Sequence, residues 1–161
     1  MTTTDPQATI DTEAFQVTRT VFVRATPARV WAALTQEDLV AQWFGQEASL
    51  PDLRAGGEGT FGFAGDGDFA VRIEEYDEPH VFAFTWADRP GVDLRPDSST
   101  LVRFTLAPEG EGTVLTVVES GFERLGDEAH DAMVDNRSGW TAELDELVAF
   151  LGAHAGEEPR P

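Results

Sequence analysis

Between residues 47 and 120 the chain reads as six short candidate strands separated by turns or loops, and most of the six are rich in β-branched and aromatic residues. Apolar side chains alternate with others within several segments, which is typical of strands with one buried face. Turn sequences such as GDG, DEP and PEGEG separate several of them. Sequential strands joined in this way favour an antiparallel sheet. The six predicted strands are EASLPDLR, GEGTFGFA, DFAVRIEEY, HVFAFTWA, STLVRFTLA and GTVLTVVES.

One strand and two short helices are predicted before these segments, and one long helix after them. FQVTRTVFVRA (15–25) alternates as a strand does. The dipeptide Thr26–Pro27 indicates a helix start, because Thr caps helices well and Pro fits the first helical position. PARVWAALT and EDLVAQWF follow with helical spacing, and Gly45 is expected to end the second helix. The long helix is expected at about 127–153.

The long helix carries an apolar stripe that two polar residues adjoin. At about 100° per residue, Asn136 falls on the stripe and Arg137 at its edge. A strongly twisted sheet that closes on such a helix leaves a hollow between them. The predicted class is therefore α+β: strand, two short helices, six strands and a long C-terminal helix, with a curved antiparallel sheet around that helix. The stripe consists of Met133, Trp140, Leu144, Leu147 and Leu151.

Composition limits the classes of partner. The 161 residues carry 30 acidic and 11 basic side chains, a net charge of −19, which disfavours nucleic acid and anionic membrane surfaces. The absence of cysteine excludes disulfides and fits a cytoplasmic protein. No apolar run is long enough to span a membrane, and the N-terminus lacks the pattern of a secretory signal. Polar tails are expected at 1–14 and 153–161, with one domain at 15–152.

Three stretches together resemble the SRPBCC, or START-like, superfamily: ATPARVWAALTQEDLVAQWFG, ESGF and GWTAELDELVAFL. They resemble most its branch named for the activator of the 90-kDa heat-shock-protein ATPase, over about residues 15–152. The resemblance implies the helix-grip fold. It implies no single activity, since the superfamily includes lipid carriers, hormone receptors, aromatase/cyclases and co-chaperone domains. It gives no sign of the additional N-terminal region of the eukaryotic co-chaperones.

Alternation assigns a set of side chains to the concave face of the sheet. They form either a solid core or the wall of a pocket. Glu119 is in phase with them, so it needs partners, for which Asn136 and Arg137 are candidates. These contacts would be either a polar anchor in a pocket or a structural bridge. The candidate ligand-binding residues are Phe61, Phe63, Phe82, Phe84, Trp86, Phe104, Glu119, Met133, Asn136, Arg137 and Trp140.

Motifs for catalysis and cofactors are absent from the sequence. The histidines, His80, His130 and His154, have no metal-binding spacing, and there is neither a nucleophile elbow nor a phosphate-binding loop. We therefore predict no cofactor, no metal and no catalytic residue. Trp31 and Trp43, with the neighbouring Phe44, either plug the end of the sheet or form a pocket rim.

Three functions remain open. The first is a protein, monomeric or homodimeric, that encloses a small apolar or aromatic molecule. The second, implied by the resemblance, is an interaction domain that stimulates a chaperone ATPase. The third is a cyclase or dehydratase that uses Glu119 as acid or base.

Overall fold

Antiparallel hydrogen bonds join eight strands into one curved sheet, in the order β1-β2-β8-β7-β6-β5-β4-β3. The computed structural model describes residues 4–153. Its strands are β1 Thr9–Asp11, β2 Gln16–Val23, β3 Glu47–Ser49, β4 Glu58–Phe63, β5 Gly67–Asp77, β6 Val81–Ala87, β7 Ser99–Glu109 and β8 Gly112–Ser120. Its α-helices are α1 Pro27–Thr35, α2 Glu37–Trp43 and α3 Ala129–Ala153. This arrangement confirms the helix-grip α+β class.

All six strands predicted after the short helices are present, as is the long helix. Helix α3 begins at Ala129 rather than near residue 127, because a 3₁₀ segment, Phe122–Glu128, precedes it. That segment follows Gly121, whose φ of 90° turns the chain sharply at the end of β8. None of the helices among residues 4–153 is long and apolar enough to cross a membrane.

The N-terminal segment differs from its predicted role as a flexible tail. Strand β1 pairs with β2, and the amide of Asp5 donates to the Thr20 carbonyl at 2.8 Å. Ala8 is 1% exposed, and its amide donates to Thr141 Oγ1 on α3 at 2.9 Å. The sequence lacked periodicity here because the ordered stretch is short and its main chain makes most of its contacts. The tail predicted at the C-terminus lies, apart from Ala153, outside the described residues.

Helix α3 presents three faces to its surroundings. The central face is the predicted stripe: Met133, Trp140, Leu144, Leu147 and Leu151 are all buried against the sheet. Thr141 and Asp145 lie on one flank, which β1 and β2 cover. Ala132, Asn136, Gly139 and Glu143 lie on the other flank, which borders a cleft. The two flanks are named below the closed flank and the open flank.

The short helices close one end of the sheet. Thr26 caps α1 by accepting a hydrogen bond from the Arg29 amide, as predicted. Trp43 is buried, and its indole N–H donates to the Ala33 carbonyl at 2.8 Å. Trp31 packs edge-on against Phe82. Both tryptophans therefore lie in the core.

Phe44 has a different environment from the two tryptophans. It ends α2, and its ring stacks on Trp140 of α3, with 5.6 Å between ring centroids and 7° between ring planes. Gly45 follows with a φ of 72°, and a side chain there would collide with the Gly62 carbonyl oxygen. This close turn holds Phe44 at the edge of the cleft.

Candidate ligand-binding cleft

Strand alternation places Glu119 on the concave face. It lies opposite Val17 on β2 and Val102 on β7, and no register shift interrupts either pairing. All three residues are completely buried. A bulge near the end of β8 would have turned Glu119 outward. Its absence leaves a carboxyl group in the interior of the protein.

Four side chains donate hydrogen bonds to Glu119. The indole of Trp86 and the hydroxyl of Thr100 reach Oε2 at 3.0 Å and 2.5 Å. The indole of Trp140 reaches Oε1 at 2.8 Å. The amide nitrogen of Asn136 lies 2.9 Å from both oxygens. The network therefore joins β6, β7 and α3 through one carboxyl group, and the predicted contact between Glu119 and Asn136 is confirmed.

Burial raises the pKa of Glu119 above its ordinary value, and the hydrogen bonds from Thr100, Trp140, Trp86 and Asn136 oppose this rise. No cation lies among these partners. Indole and amide N–H groups only donate, so they suit the carboxylate form. The hydroxyl of Thr100 can donate or accept, so it is the partner able to accept a hydrogen bond from the protonated form of Glu119.

A cleft of about 520 Å³ opens between the open flank of α3 and the sheet. All four donors to Glu119 line it, whereas Glu119 itself lies behind them. The buried carboxyl group thus orients the floor of the cleft without facing it. Aromatic side chains make up much of the remaining wall: Phe44, Phe63, Phe69 and Phe122.

The structure separates the residues predicted to bind a ligand into four groups. Phe63, Trp86, Asn136 and Trp140 line the cleft. Glu119 lies beneath its floor. Arg137 is on another side of α3. The remaining five are packed in the core without lining the cleft: Phe61, Phe82, Phe84, Phe104 and Met133.

The prediction that Arg137 meets Glu119 is wrong. At 100° per residue, Asn136 lies about 40° to one side of Trp140 and Arg137 about 60° to the other. Asn136 therefore belongs to the open flank, whereas Arg137 belongs to the closed flank. No hydrogen bond or ion pair joins Arg137 to Glu119, whose partners on the helix are Asn136 and Trp140.

Sequence reasoning missed several residues that line the cleft. Thr100 was detectable, because it is in phase with Val102 and Phe104 on the concave face of β7. Phe69 was detectable in the same way, because it is in phase with Val71 and Ile73 on β5, whereas Phe122 carried no comparable signal. Phe69 is half-buried on β5 beside Phe63, and Phe122 lies in the 3₁₀ segment whose path depends on Gly121. The place of Phe122 in the cleft follows from the turn at Gly121.

The rim of the cleft is acidic. Arg89 is the one basic residue among the described lining residues, and its Nε lies 3.6 Å from Asp88 Oδ1. Burial, and secondarily the nearby Glu146, raises the pKa of Glu143 to about 7. Among residues 4–153, no three His, Cys, Asp or Glu side chains converge well enough to hold a metal ion. The acidic lining residues are Asp66, Asp88, Glu128, Asp135 and Glu143.

The family model for "Activator of Hsp90 ATPase homolog 1-like protein" matches residues 24–152. The chain belongs to this family. The match covers both short helices, strands β3 to β8 and nearly all of α3, and it confirms the resemblance to the START-like superfamily. No curated protein matches the chain.

Solved structures of related proteins share the fold of this family member. Protein MLL2253 from Mesorhizobium loti is 21% identical, with a TM-score of 0.74 over 86% of this chain and 97% of its own. DynU16, a protein from the dynemicin biosynthetic locus, is 28% identical, with a TM-score of 0.70 over 91% of this chain. The match spans 49% of DynU16. The Aha1 dimer from Colwellia psychrerythraea is 18% identical, with a TM-score of 0.68 over 83% of this chain and 92% of its own.

Proposed function

We propose that this protein binds a small, largely apolar molecule in the cleft beside α3. The observation that carries the proposal is the floor made by Trp86, Trp140, Asn136 and Thr100, which are all held by one buried carboxyl group. A rigid apolar surface with a few fixed polar groups is the usual composition of a small-molecule site. A volume of about 520 Å³ is within the usual range for such sites.

The structural role of Glu119 favours binding over catalysis. Both of its oxygens accept hydrogen bonds from described residues, and it does not line the cleft. An acid or base must reach the proton that it transfers, directly or through one water. We therefore assign Glu119 the role of a positioning residue for the floor. The origin of DynU16 in a biosynthetic locus is compatible with small-molecule binding.

Gly139 offers a direct test. It lines the cleft from α3, and a Cβ atom added there would meet nothing within 4 Å. Gly139→Leu should therefore fill part of the cleft while favouring the helix. Gly152 is the matched control, because it is also an α3 glycine with open space around it and does not line the cleft.

The experiment compares the wild type with both glycine variants. Thermal-shift and titration measurements use three neutral probes: 2-(1-naphthyl)ethanol, 4-phenylbutanol and decanol. We expect at least one to bind the wild type and Gly152→Leu equally, and to bind Gly139→Leu at least about tenfold more weakly without a lower melting temperature. Absence of binding by all three probes, or equal binding by Gly139→Leu, would overturn the proposal.

The family description supports a second candidate, stimulation of a chaperone ATPase. This activity depends on a protein surface rather than on an empty cleft. Stimulation of the cognate Hsp90 ATPase by the wild type and Gly139→Leu alike, with no probe binding, would favour it over the first candidate.

A further inference from the structure

The polar groups of the cleft are divided between its floor and its rim. The indole N–H groups of Trp86 and Trp140 and the hydroxyl of Thr100 all point to Glu119. The floor is therefore lined by aromatic side chains, while its principal hydrogen-bond donors are already used. The rim presents carboxylate oxygens. A ligand that fits both must bring its own donors or positive charge.

The aromatic floor is suited to a cation. Trp86 is surrounded by Phe44, Phe63, Phe69 and Trp140, with ring centroids 5.7, 6.4, 5.9 and 6.1 Å from its own. Cations are attracted to aromatic faces within about 6 Å, and Trp is the strongest partner. Each floor indole donates its N–H to Glu119, so a carboxylate there adds negative potential behind the ring faces.

The rim supplies five carboxyl groups against one guanidinium. One of these groups is incompletely satisfied, because Asp88 Oδ1 accepts no hydrogen bond within the described part of the chain and has only an ion pair with Arg89. Its nearest cation, Arg89 Nε, lies 3.6 Å away and its side chain is 61% exposed. The carboxyl groups do not converge on a metal site. They are dispersed around the opening, as suits an organic cation.

From this division we infer that the cleft selects an aromatic or otherwise apolar molecule that carries a positively charged nitrogen. The inference rests on the proposed function and adds the charge of the ligand. The apolar part lies on the aromatic floor, and the ammonium group reaches the rim carboxylates. An anion of the same shape meets like charge at the rim, while a neutral analogue retains only the apolar contacts.

A matched set of probes tests the charge alone. The three probes are 2-(1-naphthyl)ethylamine, 2-(1-naphthyl)ethanol and 1-naphthylacetate, which share one ring system and are cationic, neutral and anionic at pH 7.5. We expect the amine to bind at least about tenfold more tightly than the alcohol, and the acetate not to bind measurably. Raising the salt concentration from 50 to 500 mM should weaken binding of the amine several-fold and leave the affinity for the alcohol unchanged.

Two isosteric variants separate the rim from the overall charge of −19. Glu143→Gln removes a lining carboxylate. Glu111→Gln removes an identical charge at the exposed tip of the β7–β8 hairpin, about 30 Å along β7 from Thr100. At pH 8.5, we expect Glu143→Gln to weaken binding of the amine at least threefold more than binding of the alcohol, whereas Glu111→Gln should bind both probes as the wild type does.

The outcomes distinguish the two proposals. Binding of the alcohol as tight as that of the amine, or equal effects of the two variants on the amine, overturns the cation preference and leaves the apolar cleft standing. Absence of binding by all three probes counts against the proposed function itself and removes the inference with it. The salt dependence of the wild type decides the question even if a variant does not fold.

Discussion

The two flanks of α3 face the same sheet, but one is covered and the other is open. On the closed flank, Arg19 is buried and its guanidinium donates to the carbonyls of Asp5, Trp140 and Thr141 and to Asp145. On the open flank, Glu119 is equally buried and accepts only from side chains. Each buried charge is therefore satisfied in a different way.

The difference shows how one fold can combine a rigid side with a binding side. Main-chain carbonyls and the N-terminal segment hold Arg19, so that flank has little room to move. Glu119 instead orients side chains whose other surfaces face a cleft of about 520 Å³. The closed flank therefore serves stability, and the open flank is available for recognition.

The largest expected effect concerns the packed face between the flanks. Leu144 is completely buried, so Leu144→Ala should lower the free energy of unfolding by ~2–5 kcal/mol through lost contacts and a closed cavity. Leu125→Ala makes the same chemical change beside the cleft, where the new space joins an existing opening. It should cost only ~1–2 kcal/mol. If denaturant titrations show that both variants lose the same free energy of unfolding, the distinction between the packed face and the open flank is contradicted.

The closed flank is tested next by Arg19→Met. This change removes the hydrogen bonds that the guanidinium donates to the carbonyls of Asp5 and Thr141. We therefore expect the free energy of unfolding to fall by ~2–3 kcal/mol. Arg103→Met on the exposed face of β7 is the control, and it should cost less than ~0.5 kcal/mol. Binding of the naphthyl probes should be unchanged. A loss of probe binding would mean that the two flanks are coupled.

Asn136→Leu probes the open flank from the helix side. Glu119 keeps its bonds from Trp86, Thr100 and Trp140, so the free energy of unfolding should fall by only ~1 kcal/mol, at the lower end for a lost buried hydrogen bond. Probe binding should weaken at the same time, because the amide also lines the cleft. A loss above ~3 kcal/mol with probe affinity retained would make the network a structural bridge instead.

The smallest effect is a dependence on pH. The pKa of Glu143 is raised from 4.5 to about 7, so between these values the unfolded chain releases a proton that the folded protein keeps. The contribution of Glu143 to stability therefore falls as pH rises through this window and levels off above about 7. Because solvent screens this partly exposed group, Glu143→Gln should gain only ~1 kcal/mol in the free energy of unfolding relative to the wild type between pH 5 and pH 8. Urea titrations of the wild type and Glu143→Gln at both pH values check this difference.

Binding of the amine probe is linked to the same group. A cation at the rim favours the ionised form of Glu143, so the affinity of the naphthyl amine should rise from pH 6 to pH 8. The other charged groups that line the cleft are Asp66, Asp88, Arg89, Glu128 and Asp135. If the affinity for the amine does not change with pH, the ammonium group does not interact with Glu143.

Local pattern and covalent geometry were sufficient for much of this architecture. Alternation along the strands identified the concave face and placed Glu119 within it, because a side chain's face follows from its position in a strand. Helical periodicity identified the stripe from Met133 to Leu151 for the same reason. Family resemblance then supplied the way in which the sheet and helix are combined.

Tertiary structure decided what lies on either side of that stripe. Asn136 and Arg137 are adjacent in sequence, but a 100° step sends them to opposite flanks, and only the packed protein shows which flank is covered. The N-terminal segment covers one of them through main-chain bonds that leave little trace in its sequence. The other remains open, and its acidic rim is assembled from the β4–β5 turn, the segment after β6, the 3₁₀ segment and α3. Asp66 and Asp88 are far in the chain from the other carboxyl groups, so no local pattern could unite them.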